Sequence, residues 1–254
     1  MLGYRGNPAW RDMSEYVVHF TRDIDDRSAS ETLYVILDAG RLEPGPQPFG
    51  AARKLDALVD SQRVVCFSEV PLDRLDRLVA RRGSRYGIGF TQPWVIQAGG
   101  ARVWYVDRDS AAHTAFQELF SQRLSPWDAN DPFWALTPFV DFPGEYGDTS
   151  YRFEWEREWR VPGSVEFSPD NVAFLFGPEE AHSEMVEKVG SNYPCPCIDP
   201  LWPDDRIQEA LAAMPVPDQT FMAVAADTAE EDCPYCDYYP GDVCPGCGVL
   251  APSW

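Results

Sequence analysis

Four cysteines near the carboxyl end have the spacing of a metal site. Cys233 and Cys236 form one Cys-x-x-Cys pair, and Cys244 and Cys247 form a second pair after a short loop. Each pair can present two thiolates to one ion, and four thiolates complete the tetrahedral shell of structural zinc. Because cysteine fills all four positions, no open catalytic position is expected. We predict a structural Zn2+ site here, with free or redox-active thiols as the alternative.

Residues 151–162 form a second stretch whose residue types could do chemistry. If this stretch is a strand, Glu154, Glu156 and Glu158 lie on one side and aromatic residues on the other. Three carboxylates on one face repel one another. A solvated face flanked by arginines explains them, and so does a catalytic cleft that holds one carboxylate near an arginine and a cationic ligand.

Other candidate residues lie at the ends of apolar segments. His19 and Thr21 share one face of a predicted strand over residues 16–21, and Ser68 ends a second strand over 63–68. Tyr86 begins a predicted strand that contains two glycines, which would let a ligand approach the backbone closely. A histidine in a strand is either a hydrogen-bonded core residue or part of a site. A Ser68–histidine hydrolase reading lacks the Gly-x-Ser-x-Gly elbow, and no phosphate-binding glycine motif occurs.

The composition indicates an ordinary packed domain with an acidic surface. The 254 residues are 44% hydrophobic and carry a net charge of −20, which argues against nonspecific binding to duplex DNA. A local basic groove for a nucleic acid remains compatible with that charge. No apolar run approaches the length of a membrane span, and the first residues lack a signal-peptide core. We therefore expect a cytoplasmic protein with no membrane partner.

Alternating strand and helix patterns predict an α+β fold. We expect one domain over residues 1–214, a flexible acidic linker over 215–232 and a cysteine tail over 233–254. Ser28 and Glu31 form a predicted capping box at the start of a helix that ends at Gly40. Further strands are predicted over 86–91, 103–106 and 171–177, and further helices after Pro71, Ser110, Pro178 and Pro203.

Taken in order, several segments resemble the AbiGi family of abortive phage-resistance proteins, over about residues 15–190. They are Val-His-Phe-Thr at 18–21, Leu-Tyr-Val-Ile-Leu-Asp-Ala-Gly-Arg-Leu at 33–42, Phe-Gly-Ala-Ala-Arg at 49–53, Val-Cys-Phe-Ser-Glu-Val-Pro-Leu at 65–72, Tyr-Gly-Ile-Gly-Phe at 86–90, Val-Trp-Tyr-Val at 103–106 and Glu-Arg-Glu-Trp-Arg at 156–160. The cysteine tail lies outside this resemblance. The resemblance implies the antitoxin half of a two-gene system whose partner is a nucleotidyltransferase-like toxin.

The same order of segments is similar, more distantly, to DarT-type ADP-ribosyltransferases. That similarity implies an ADP-ribosyltransferase-like split sheet with flanking helices, to which the cysteine tail would add a small C-terminal zinc knuckle. It implies a cleft lined by His19, Thr21, Tyr86 and Glu158. In that cleft His19 would hold the nicotinamide ribose of NAD, Tyr86 would stack on the nicotinamide, and Glu158 would be the catalytic carboxylate. A carboxylate there would stabilise the oxocarbenium character that develops as the glycosidic bond of NAD breaks.

Three functions follow from these features. The first is a phage-defence enzyme that transfers ADP-ribose from NAD to a nucleic-acid or protein acceptor. The second is a catalytically silent antitoxin that neutralises a cognate partner by contact, for which the acidic surface is suited. The third is a zinc-tailed adaptor without chemistry in the cleft.

Overall fold

The computed structural model describes residues 13–69, 71, 74–146, 149–189 and 192–212, which all belong to a compact unit spanning Met1–Pro215. These residues form an α+β fold, as predicted, and its central sheet is mixed. The expected domain boundary at 214, the linker 215–232 and the cysteine tail 233–254 lie outside the described residues.

A seven-stranded sheet forms the centre of the described fold. Its strand order is β13-β12-β4-β1-β3-β10-β5, and its neighbours are antiparallel except for the parallel pair β12 and β13. The strands of this sheet are β1 (Tyr16–Phe20), β3 (Val64–Ser68), β4 (Gly87–Thr91), β5 (Ala101–Arg102), β10 (Glu158–Pro162), β12 (Val172–Phe176) and β13 (Cys197–Ile198). Strand β1, which corresponds to the strand predicted over residues 16–21, is the central strand of this sheet.

Six short strands pair two by two outside this sheet. They are β2 (Arg41–Leu42) with β11 (Val165–Glu166), β6 (Trp104–Tyr105) with β7 (Val140–Asp141), and β8 (Gly144–Tyr146) with β9 (Thr149–Tyr151). The pair of β6 and β7 is parallel. It places Tyr105 and Asp141 opposite each other.

The described helices cover both faces of the sheet. They are α1 (Ala29–Ala39), α2 (Leu75–Arg82), α3 (Gln92–Gln97), α4 (Ala111–Arg123), α5 (Phe133–Leu136), α6 (His182–Val189) and α7 (Asp204–Ala212). Helix α1 has the predicted capping box, in which Ser28 accepts from the Glu31 amide and Glu31 accepts from the Ser28 amide. Gly40 and Gly83 end α1 and α2 in the left-handed conformation, with φ values of 59° and 67°. The local signals for these helix ends are therefore confirmed.

Two apolar clusters pack on opposite faces of the sheet. On one face, sheet residues such as Val17 and Trp159 pack with Leu33 and Leu37 of α1. On the other face, Val18 packs with helices α2 and α7. A third cluster joins α4 and α5 to the loops around residues 51–58 and 140–142. The position of each charged side chain relative to these clusters decides whether it is buried.

The predicted single strand over residues 151–162 is wrong. Strand β9 ends at Tyr151, a 3-10 helix occupies Glu154–Glu156, and β10 begins only at Glu158. Arg157 separates the 3-10 helix from β10 with φ at 45°, a left-handed conformation that is uncommon outside glycine. Of the two explanations for the three glutamates, the solvated strand face is wrong for Glu156 and Glu158, because both are buried.

Candidate functional site

A buried ion-pair network on β10 holds the carboxylate that the sequence singles out. Glu158 and Arg160 are two residues apart on this strand, so their side chains leave the same face. The guanidinium of Arg160 donates from Nε to Glu158 Oε1 at 3.1 Å and from Nη2 to Glu158 Oε2 at 3.0 Å. The Tyr105 hydroxyl donates to Glu158 Oε2 at 2.6 Å. Both carboxylate oxygens of Glu158 are thus hydrogen-bonded within the protein.

Arg160 also binds a second buried carboxylate. Its Nη2 donates to Asp141 Oδ2 at 3.0 Å, and its Nη1 donates to the Pro138 carbonyl at 2.8 Å. The half-buried Arg53 donates to the other oxygen, Asp141 Oδ1, at 3.2 Å. Arg160 itself is fully buried, with its guanidinium carbon 5.1 Å from the centre of the Phe49 ring. The network therefore joins β10 to β7 and to the 3-10 helix Thr137–Phe139 that precedes β7.

The charges of this network determine which groups carry protons. Burial alone would lower the pKa of Arg160, but Glu158 and Asp141 raise it well above its ordinary value. Burial raises the pKa of Cys66, which is aligned with Arg160 across the strands, and Glu158 raises it further. Cys66 therefore remains a thiol at neutral pH rather than a nucleophilic thiolate.

Two further carboxylates of the region are also paired. Glu156 is ion-paired with Arg82 of α2; burial raises the pKa of Glu156, and Arg82 opposes that shift. Glu69 follows β3 and accepts hydrogen bonds at Oε2 from Trp159 Nε1 at 2.8 Å and from Arg102 Nε at 3.0 Å. Glu156 thus connects the segment before β10 to α2, and Glu69 connects the end of β3 to β10 and β5. Buried charged side chains in proteins are usually paired in this way.

His19 lies where β1 and β3 separate. The aligned pair between these strands is Val18 with Ser68, and beyond it the ring of His19 packs edge-on against Phe67, with ring centres 5.8 Å apart. Nδ1 of His19 lies 2.9 Å from the Cys66 carbonyl oxygen. Because a carbonyl oxygen only accepts, Nδ1 carries the proton and donates.

The environment of His19 keeps its ring neutral. Burial lowers the pKa of His19, and the nearby Arg82 and Arg22 lower it further, although the hydrogen bond to the Cys66 carbonyl works in the opposite direction. A neutral ring protonated at Nδ1 has only Nε2 left for another partner, as an acceptor.

The structure does not direct His19 and Glu158 into one cleft. Ser68 is aligned with Val18 on one side and with Glu158 on the other, so these three side chains share a face of the sheet. His19 follows Val18 directly and therefore points to the opposite face. Strands β1 and β10 both pair with β3 at Ser68. The side chains of His19 and Glu158 nevertheless lie on opposite faces of the sheet.

Thr21 and Tyr86 meet through the backbone. The Thr21 amide donates to the Tyr86 carbonyl at 3.0 Å, and the Thr21 hydroxyl donates to the Ala29 carbonyl at 2.8 Å. Thr21 thus ties the end of β1 to the start of α1. The half-buried ring of Tyr86 lies near Glu184 of α6, and burial, followed by this carboxylate, raises the pKa of Tyr86.

The two glycines of β4 make room for aromatic rings. A Cβ atom on Gly89 would lie 2.3 Å from Cζ of Phe174, and one on Gly87 would lie 2.3 Å from Cζ of Phe176. The expected approach of a ligand at these glycines is therefore corrected, because side chains of β12 fill that space.

Two recesses on the described surface lie away from the candidate residues. One, of about 470 Å³, is lined by residues of α4 that include His113 and Glu118. The other, of about 250 Å³, is lined by residues that include Arg74 and Trp202. Neither is lined by His19, Thr21, Tyr86 or Glu158.

The predicted zinc ligands Cys233, Cys236, Cys244 and Cys247 lie outside the described residues, so the zinc site stays a prediction. Within the part of the chain that the structure describes, no group of three or more His, Cys, Asp or Glu side chains could hold a metal ion. Cys195 and Cys197 are free thiols there, and burial, with Cys197 as a second cause, raises the pKa of Cys195 to about 12.

Sequence reasoning missed the partners of Glu158. Arg160 was visible in the Glu-Trp-Arg segment at 158–160, two residues from Glu158 and so on the same face of any strand. Tyr105, Asp141 and Arg53 are far from Glu158 in sequence, and no local pattern connects them with it.

The described fold and network define an α+β protein whose most conspicuous acidic residues are paired internally. Residues 47–188 match the family model of AbiGi, described as an abortive phage resistance protein and antitoxin. The match spans more than half of the chain, and the chain belongs to the AbiGi family. This confirms the resemblance found in the sequence. No curated protein and no solved structure matches the chain.

The range matched by the family model includes some of the candidate residues and excludes others. Tyr86, Glu158 and Arg160 lie inside the matched range, whereas His19 and Thr21 precede it. The similarity to DarT-type enzymes receives no support from these comparisons. Among the described helices, none is long and apolar enough to cross a bilayer.

Proposed function

We propose that this chain is the antitoxin of an abortive-infection pair and neutralises its cognate toxin by direct contact. The match to the AbiGi family, described as an antitoxin, carries the proposal. The internal pairing of Glu158 with Arg160 and Tyr105 agrees with it, because a carboxylate with both oxygens bonded is poorly placed to act on a substrate.

The exposed side of helices α1 and α6 is the surface we assign to this contact. The two helices pack against each other; α1 exposes two carboxylates and Val35, and α6 exposes two carboxylates, Val186 and Lys188. We call this surface the acidic face; its residues are Glu31, Val35, Asp38, Glu184, Val186 and Glu187. Val35 and Val186 are 48% and 57% exposed, so the face combines apolar contact area with negative charge.

A surface with four exposed acids, two exposed valines and the single exposed cation Lys188 suits a basic partner protein. Complementary charge accelerates association and excludes partners of like charge, while buried apolar area slows dissociation. The net charge of −20 favours the same encounter at longer range. The toxin that we expect to bind here therefore presents a positively charged surface.

The first experiment expresses the chain alone, the toxin encoded beside it alone, and the two together. We expect no growth defect from the chain alone, growth arrest from the toxin, and restored growth from the pair. The purified pair should co-elute on size-exclusion chromatography. Growth arrest by the chain alone, or absence of a complex, would contradict the proposal.

Charge-reversed variants then test the acidic face. Glu184→Lys combined with Glu187→Lys should weaken toxin binding and the rescue of growth, because it places positive charge opposite a basic partner. The matched control is Asp60→Lys combined with Glu118→Lys, which changes two exposed acids elsewhere by the same charge. Equal loss of rescue in both double variants would mean that net charge, and not this face, is responsible.

The alternative function is ADP-ribose transfer from NAD, with the ADP-ribosyltransferase-like split sheet that it implies. It is favoured by one observation: the strands of His19 and Glu158 both align with β3 at Ser68. In this alternative Glu158 is the catalytic carboxylate, and His19, Thr21 and Tyr86 contact NAD. Purified protein should then bind NAD in calorimetry and transfer labelled ADP-ribose to a protein or nucleic acid, and Glu158→Gln should abolish the transfer. Absence of both signals would exclude this alternative.

A further inference from the structure

Five exposed arginines lie on two neighbouring segments of a strongly acidic chain. We call them the arginine patch; they belong to α2 and to the segment before β10, and are Arg77, Arg81, Arg82, Arg152 and Arg157. Two contacts hold these segments together. Arg82 is ion-paired with Glu156, and the guanidinium carbon of Arg81 lies 5.2 Å from the centre of the Phe153 ring.

The two segments of the patch carry more basic than acidic residues. The exposed acids of the same two segments are Asp76 and Glu154, while Glu156 is buried against Arg82. Arg77 and Arg81 are four residues apart, so both project from one side of α2. The five arginines therefore outnumber the three acids, Asp76, Glu154 and Glu156, of these two segments.

An exposed tryptophan lies on one of the two segments of the patch. Trp155 is the middle residue of the 3-10 helix Glu154–Glu156 and is 45% exposed, although its neighbour Glu156 is buried. The ion pair of Glu156 with Arg82 holds this short helix against α2. The exposed indole thus lies on the segment that carries Arg152 and Arg157, next to the residue that pairs with Arg82.

This combination matches the chemistry of an unpaired nucleotide chain. Arginines bind backbone phosphates, and an aromatic ring stacks on a base that is not already stacked in a duplex. A duplex offers the phosphates but hides the base faces. An acidic peptide offers negative charge to the arginines, but it has no base that could stack on the indole.

We infer that the arginine patch and Trp155 form a binding site for single-stranded nucleic acid. The phosphates contact the arginines, and one base stacks on the indole. The site shares no residue with the acidic face, so it goes beyond the proposed neutralisation of a toxin and does not depend on it.

Fluorescence anisotropy of the full chain with a labelled oligouridylate tests the electrostatic part. Arg77→Gln combined with Arg81→Gln should weaken binding and reduce the slope of log Kd against log salt by about 1.4, since each phosphate neutralised on a single strand contributes about 0.7. The matched control, Lys54→Gln combined with Arg63→Gln, removes two exposed cations outside the patch and should leave affinity and slope near the wild-type values.

The stacking part is tested at Trp155. Trp155→Ala should weaken binding of the oligouridylate about 5- to 150-fold, which corresponds to the stacking energy of one base. Trp155→Phe should retain most of the affinity, because a phenyl ring still stacks. Trp127→Ala, at another exposed tryptophan, is the control and should bind like wild type.

Four results would overturn the inference. They are no binding of the oligouridylate by the wild type, wild-type binding by both the Arg77→Gln/Arg81→Gln variant and the Trp155→Ala variant, affinity for a duplex of the same length equal to that for the oligouridylate, and affinity for polyglutamate equal to that for the oligouridylate. Far-ultraviolet circular dichroism and thermal melts establish that each variant is folded. The toxin-rescue assay is run on the same variants. Retained rescue with lost oligouridylate binding separates this site from the acidic face.

Discussion

Arg160 is the single residue on which most of the buried charge around Glu158 depends. It is fully buried and bonds Glu158, Asp141 and the Pro138 carbonyl. Burying one cation costs several kcal/mol, and two carboxylates with good geometry offset that cost. Loss of the arginine would leave both acids buried with their negative charges insufficiently compensated.

We therefore expect Arg160→Met to lower the free energy of unfolding by about 3–5 kcal/mol, as when one partner of a buried ion pair is removed. Urea denaturation measures this directly. Arg63→Met is the matched control: its side chain is 45% exposed, so we expect a change within about 0.5 kcal/mol. If both variants lose the same small amount, the network does not stabilise the fold as proposed.

His19 should make stability depend on pH. Its pKa is lowered in the folded protein, mainly by burial, from an unfolded value of about 6.5. Below that value the unfolded chain binds a proton that the native ring resists, so stability falls as the pH decreases toward the native pKa. His19→Gln should reduce the difference in unfolding free energy between pH 7.5 and pH 5.5. An unchanged difference would show that other groups dominate this range.

At the scale of elements, the backbone conformation of the residues before β10 determines where this strand begins. The alternating pattern of residues 151–162 suits a longer strand, but the 3-10 helix and the left-handed Arg157 interrupt it. The interruption turns Glu156 toward Arg82 of α2 and leaves Trp155 exposed. Contacts with another helix thus override a local strand pattern.

The close packing of β4 against β12 gives a test at the same scale. Gly89→Ala should destabilise the protein by about 1–3 kcal/mol, because the added methyl group overlaps the Phe174 ring in a well-packed core. Gly45→Ala is the control, since a Cβ atom there meets no atom within 4 Å. Thermal melts of both variants provide the comparison. Equal melting temperatures would show that the ring moves aside without cost.

At the scale of the whole molecule, charge and the cysteine tail set the expectations. The chain carries 41 acidic and 21 basic side chains, so five arginines on one surface stand out. The tail has the ligand number and spacing of a closed zinc site, in which the metal folds the segment and leaves no position for a substrate.

Purified protein should accordingly contain about one zinc ion per chain by metal analysis. Cys233→Ser combined with Cys236→Ser should lose the metal, because two of four thiolates cannot retain it tightly. Cys195→Ser combined with Cys197→Ser removes two thiols from the described domain and should keep the zinc. Zinc absent from the wild type, or lost equally in both variants, would contradict the tail site.

Local signals predicted much of the element order. The capping box at Ser28, the glycines after α1 and α2, and the apolar strands β1, β3, β4 and β12 all appear where their residue types indicate. Strand β6 lies within the predicted strand over 103–106, but β5, β13 and the other five paired short strands were missed. Strands of two or three residues carry no usable periodicity, and their existence depends on partners distant in the chain.

The sequence by itself determined the acidic charge, the α+β class, the AbiGi resemblance and the presence of Glu158 and Arg160 on one strand face. Only the tertiary structure decided that Glu158 is bonded to Tyr105, that Asp141 shares Arg160, and that His19 points to the other face. The physical reason is that local preferences act over a few residues. The protonation and availability of a buried group depend instead on charges that folding brings within hydrogen-bond distance.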